Sequence, residues 1–104
     1  MNIQQLLELT VDKNASDLHL SVGTPPELRI HGQLSPVSGM SPVTPEEMES
    51  LVTEMLTPQQ KEVFQKELEL DFSFQFTDKG RFRVNLYKQK GNLAAALRLI
   101  TAVI

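Results

Sequence analysis

Gly80-Arg81-Phe82-Arg83-Val84-Asn85-Leu86-Tyr87-Lys88-Gln89 alternates between polar and apolar residues one position at a time. Successive side chains leave a β-strand on opposite faces, so this alternation predicts a half-buried strand. Phe82, Val84 and Leu86 share the face that closes a core. Arg81, Arg83, Asn85 and Tyr87 share the other, a cationic and hydrogen-bonding surface on a rigid support. Lys90-Gly91-Asn92 supplies the turn chemistry of a hairpin. In the return strand Leu93, Ala95, Leu97 and Leu99 line one face, and Arg98 points to the other. Immediately upstream, Leu70-Asp71-Phe72-Ser73-Phe74-Gln75-Phe76 alternates the same way. Leu70, Phe72, Phe74 and Phe76 face inward, while Asp71, Ser73 and Gln75 face outward. Thr77-Asp78-Lys79-Gly80 turns the chain from this strand into the next. The three strands are expected to form an antiparallel meander.

Working back to the start, Ile3, Leu6, Leu7 and Thr10-Val11 recur at helical spacing, which predicts an amphipathic helix over residues 2–13 with Asn14 as a left-handed C-cap. Leu18-His19-Leu20 reads as a short strand. Gly23-Thr24-Pro25-Pro26 is a turn, and Glu27-Leu28-Arg29-Ile30-His31 alternates again, with Arg29 and His31 outward. Gly32 marks another tight turn, followed by a brief extended piece from Gln33 to Val37. Thr44-Pro45-Glu46-Glu47 combines an N-cap, a proline at the first helical position and a capping box. Met48, Leu51, Val52, Met55 and Leu56 form the buried stripe of that helix. The device recurs at Thr57-Pro58-Gln59-Gln60, so a second helix starts at once, with Val63, Phe64 and Leu68 as its apolar face. The expected order is helix, two or three strands, two helices, three strands. This predicts an α+β domain with helices packed against one antiparallel sheet.

The 104 residues suffice for one modest domain with one core. No cysteine is present, which excludes disulfides and thiolate metal or redox sites. No apolar run is long enough for a transmembrane helix, and no signal peptide is visible, so a cytoplasmic location without membrane insertion is expected. The net charge of −3 hides an asymmetry. From residue 79 onward there are six basic residues and no acidic one; residues 1–78 hold four basic and 13 acidic groups. Two readings follow. Either the basic end meets an anion or an acidic partner, or an edge hairpin uses cations to resist aggregation.

Nucleotide-binding loops of the GxxxxGK[ST] and GxGxxG types and the HExxH metal motif are absent. His19 and His31 are the only histidines, each near a carboxylate residue (Asp17, Glu27). A hydrogen-bonded, partly exposed histidine is the simpler reading than a metal ligand. An RNA-recognition strand needs exposed aromatics, whereas here the exposed positions carry arginines; nucleic acid is not expected as a partner. No catalytic residue is expected in this chain.

Ala15-Ser16-Asp17-Leu18-His19-Leu20-Ser21, Gly23-Thr24-Pro25-Pro26 and Arg29-Ile30-His31-Gly32 together resemble the opening of the PilT-type twitching-motility ATPases, the type IV pilus retraction motors of the secretion ATPase superfamily. Leu70-Asp71-Phe72-Ser73-Phe74, Gly80-Arg81-Phe82-Arg83-Val84-Asn85 and Leu97-Arg98-Leu99-Ile100 match the same domain in order. The chain differs where a proline often follows the last isoleucine; here Thr101-Ala102-Val103-Ile104 stand. The resemblance implies a PAS-like N-terminal domain over residues 1–104, with a RecA-like ATPase domain, ATP and Mg2+ belonging to a longer parent chain. It further implies a homohexamer in which this domain packs on the neighbour's ATPase domain, at a pilus base on the inner membrane. Arginines of the domain then approach the neighbour's nucleotide. Arg81 and Arg83 are the first candidates and Arg98 the third. Against this stands the reading that the arginines are simply exposed, or paired with Asp71 across the sheet. Asp17, His19 and Arg29 are assigned a structural role at the first strand, with Arg29 pairing Asp17 or Glu27. The alternatives are the N-terminal domain of a related extension or secretion ATPase, a sensory PAS module holding a ligand inside its sheet, and a plain protein-interaction domain.

Overall fold

The computed structural model describes residues 2–76 and 80–101, the last of these by its backbone alone. The elements run α1 (Ile3–Asp12), β1 (Asp17–Ser21), β2 (Glu27–Ile30), β3 (Gln33–Pro36), α2 (Pro45–Met55), α3 (Pro58–Glu67), β4 (Glu69–Phe76), β5 (Gly80–Gln89) and β6 (Asn92–Thr101). The turn expected over residues 77–79 and the chain end over residues 102–104 lie outside the described residues.

Each helix starts where its side chains satisfy the free backbone N–H groups of the first turn. At α2 the Glu47 amide donates to the Thr44 hydroxyl (3.1 Å) and the Thr44 amide donates to the Glu47 carboxylate (3.0 Å). Thr57 and Gln60 repeat the arrangement at α3. A third capping box, between Asn2 and Gln5, opens α1; the Asn-x-x-Gln spacing carried that signal, and sequence reasoning passed over it. At the far end of α1, Asn14 adopts φ +55°. The amides of Asn14 and Ala15 donate to the carbonyls of Val11 and Thr10 (3.1 and 3.0 Å), which closes the helix in a Schellman turn.

The strands form one six-stranded antiparallel sheet in the order β3-β2-β1-β6-β5-β4. The expected meander β4-β5-β6 is present, and β1 joins it by pairing with β6, from Asp17 opposite Arg98 to Ser21 opposite Ala94. Two two-residue turns share one design. His31-Gly32 has φ +52° and +79°, and Lys90-Gly91 has φ +52° and +81°. Positive φ at both central positions gives the hairpin turn whose twist matches that of the strands. His31 is therefore a turn residue rather than an outward strand residue.

Phe82, Val84, Leu86, Ala95, Leu97, Leu18 and Leu20 line the inner face and are buried with Ile3, Leu6 and Leu7 of α1 and Met48, Leu51, Val52 and Met55 of α2. Phe76 and Phe82 meet edge to face, ring centroids 6.0 Å apart. Two expectations are corrected at the β4 side. Of the apolar face assigned to α3, only Phe64 is buried, while Val63 and Leu68 are exposed. Leu70, Phe72 and Phe74 do point inward but are only partly buried, and Phe76 alone is fully covered. The cause is position: β4 is the sheet edge, so no further strand extends the core past it.

Candidate functional site: the open face of the sheet

The core lies beneath one face of the sheet, and the polar set of each strand forms the other. Register fixes which side chains meet there. Arg83 on β5 stands directly opposite Arg98 on β6, and Arg98 stands opposite Asp17 on β1. Like charges facing each other across adjacent strands are destabilising. Here each guanidinium is drawn aside, in opposite directions. The Arg98 Nε donates to Asp17 Oδ2 (3.3 Å), and its Nη2 lies 3.3 Å from the same oxygen. The Arg83 Nη2 donates to Asp71 Oδ2 on β4 (3.2 Å).

The two acids differ in kind. Asp17 has a side chain only 8% exposed, paired with an arginine whose side chain is 71% exposed. Asp71 is half-exposed, and so is accessible to water while it holds Arg83. Between the arginines lies a surface pocket of about 270 Å³ lined by Asp17, Asp71, Arg83, Asn85, Ala96 and Arg98. Ala96, opposite both His19 and Asn85 in register, gives it a small-residue lining. Paired, exposed guanidiniums beside such a pocket suit the oxygens of a phosphate or carboxylate, to which arginine presents a planar fork of donors.

The structure places the other sequence candidates as follows. Arg81 lies on the same exposed face two residues before Arg83 on β5, opposite Ile100, and its Nε donates to Gln75 Oε1 (3.4 Å). It does not line the pocket. The expected pairing of an arginine with Asp71 is present, at Arg83, yet it leaves that side chain 66% exposed. Arg29 stands opposite Asp17, but its Nη1 donates to the Gly32 carbonyl (3.1 Å) and the expected ion pair gives way to Arg98. The turn residues between β2 and β3 bring that carbonyl within reach, whereas the Asp17 carboxylate is already taken. His19 is half-buried, opposite Glu27 and Ala96. Among the described residues no group of three or more His, Asp or Glu side chains is arranged to hold a metal ion, and no helix is long and apolar enough to cross a membrane. Asn85 and Ala96 are pocket residues that sequence reasoning did not single out. Asn85 was legible by its alternation with the two arginines; Ala96 carried no signal.

No protein-family model matches the chain. Among solved structures it superposes on the pilus retraction motor PilT with bound ADP at a TM-score of 0.91 and 33% identity, covering 100% of this chain and 30% of that one. The Legionella pneumophila ATPase DotB shares the fold at a TM-score of 0.74 and 22% identity, over 97% of this chain and 28% of the other. The α+β architecture is thus that of the PilT amino-terminal domain. Among curated proteins, the type IV pilus retraction ATPase PilT of Pseudomonas aeruginosa is 35% identical over 96% of this chain, and the PilU ATPase of the same organism is 33% identical over 96%. Along nearly its whole length the chain is a homologue of the N-terminal part of the PilT-type twitching-motility ATPases. It spans 29% and 26% of the length of those two relatives.

Proposed function

We propose that this chain is the regulatory and assembly domain of a longer ATPase that powers type IV pilus retraction, working as a hexamer at the inner-membrane pilus base. In this reading the open face of the sheet packs on the ATPase domain of the neighbouring subunit, and Arg83 and Arg98 approach the nucleotide bound there. One observation carries it: two arginines directly opposite each other, both exposed, on the face of the sheet away from the core. Each is balanced by its own aspartate, yet both arginine side chains stay more than half exposed. An oxyanion between them would relieve the repulsion and accept charge-assisted hydrogen bonds from both.

Phosphoryl transfer is catalysed largely by positioned positive charge, so two guanidiniums delivered from a rigid sheet have a direct chemical use. The sheet is a stiff support, so rigid-body motion of the domain would move both groups together and couple one subunit's position to its neighbour's nucleotide state. ATP and Mg2+ would be held by the rest of the parent chain. Arg81, on the same exposed face, is placed to meet the neighbour outside the pocket.

The test is the double substitution Arg83→Ala, Arg98→Ala in the full-length ATPase. ATP turnover is expected to fall by about 10²-fold or more, with the hexamer intact by size-exclusion chromatography. Unchanged turnover in an intact hexamer would refute the reading.

A further inference from the structure

The two ion pairs beside the pocket differ in what it takes to open them. Opening Arg98 from Asp17 strands a carboxylate that is almost wholly covered, whereas opening Arg83 from Asp71 returns two groups to water that already touch it. Exposed pairs of the second kind are worth little, so the Arg83–Asp71 contact is readily exchanged.

We propose that Asp71 is a competing internal anion, a latch that occupies Arg83 until a phosphate-type oxyanion enters the pocket and takes the guanidinium from it. Arg98 stays fixed on Asp17 as the preset half of the site, and Arg83 is the half that switches. The geometry supports this assignment. Asp71 stands opposite Asn85 in register, so it reaches Arg83 along a diagonal between β4 and β5. Its carboxylate thereby pulls Arg83 toward the sheet edge, away from Arg98 on β6. An oxyanion sitting between the arginines draws Arg83 the opposite way and leaves Asp71 to water. The inference rests on the reading of the pocket as an oxyanion site, and adds the group that sets its resting state.

The latch is tested on the 104-residue chain with inorganic tripolyphosphate as the probe, titrated at about 0.15 M ionic strength, where the Debye length is about 8 Å, and followed by the NMR shifts of the β5 and β6 amides. Asp71→Asn is close in shape and keeps a hydrogen-bonding end but no charge. It is expected to tighten binding about fivefold, the upper worth of an exposed ion pair. Glu69→Gln removes the same charge from the same strand face, opposite Tyr87 and away from both arginines; its effect is expected to stay within about twofold because screened charges at that distance matter little. In the Arg83→Ala background the Asp71→Asn gain is expected to vanish. The latch is overturned if Asp71→Asn binds no tighter than the parent, if Glu69→Gln gains as much, or if the gain survives without Arg83. These outcomes are separate from turnover in the full-length ATPase. A failed latch with arginine-dependent turnover spares the nucleotide reading, and a working latch with arginine-independent turnover removes it.

Discussion

Arg98 and Asp17 offer a stability test whose outcome is asymmetric. In Arg98→Ala the guanidinium is gone and a carboxylate with 8% exposure keeps its charge without its partner. A stranded buried acceptor costs about 1–3 kcal/mol. The space vacated by a side chain that was 71% exposed admits water, which argues for about 2 kcal/mol. In Asp17→Asn the guanidinium left behind is already largely hydrated, so only the charge-assisted part of the contact is lost, about 1 kcal/mol. The double variant strands no charge and is expected near 1 kcal/mol as well, below Arg98→Ala alone and well below the sum of the singles. The Asp17→Asn change thus rescues the arginine loss. For a domain of this size 1 kcal/mol corresponds to about 4–8 °C in Tm, within reach of thermal and urea unfolding followed by circular dichroism. Additivity of the two changes within about 0.3–0.5 kcal/mol would show the pair to be absent in solution. A larger cost for Asp17→Asn than for Arg98→Ala would refute the burial argument itself.

The shared hairpin-turn design gives a further test. Lys90 is exposed at φ +52°, and asparagine suits that backbone better, so Lys90→Asn is expected to stabilise the chain by about 0.4–1 kcal/mol in urea unfolding. Gly91→Ala is expected to destabilise by about 1–2 kcal/mol purely through the backbone, since a Cβ there meets no atom within 4 Å. The cap of α2 carries a pH dependence. The backbone amide of Thr44, then its hydroxyl, hold the Glu47 carboxyl below its ordinary value of 4.5. A lowered folded value means that this contribution is complete above the ordinary value and is lost as pH falls through the lowered one. Glu47→Gln is therefore expected to flatten the acid side of the stability profile below the ordinary carboxyl value of 4.5, and an unaltered slope would count against the capping box.

Much of this fold is written locally. The Thr-Pro pairs at 44–45 and 57–58 start helices because a hydroxyl can take the free amide of the third residue and proline gives up none it needs. Leu68 shows the opposite. It ends α3 at φ +60° with its side chain exposed, and nothing about a leucine announces a left-handed cap. Phe72 and Phe74 point inward as their alternation requires, yet their partial exposure depends on β4 being an edge. The site divides the same way. Arg83 was legible as an outward cation, but its facing Arg98 depends on hairpin register, and the choice of Asp17 over Asp71 as the partner of Arg98 depends on which strand lies beyond β6.

Strand alternation, the capped starts of α2 and α3 and the side of the sheet on which the arginines stand are local matters, because each follows from backbone geometry within a few residues. The pairing of β1 with β6, which brings Asp17 to a guanidinium 81 residues away, belongs to the assembled sheet instead. Strand order is settled by closing one core over the whole chain, a global condition that no local pattern contains.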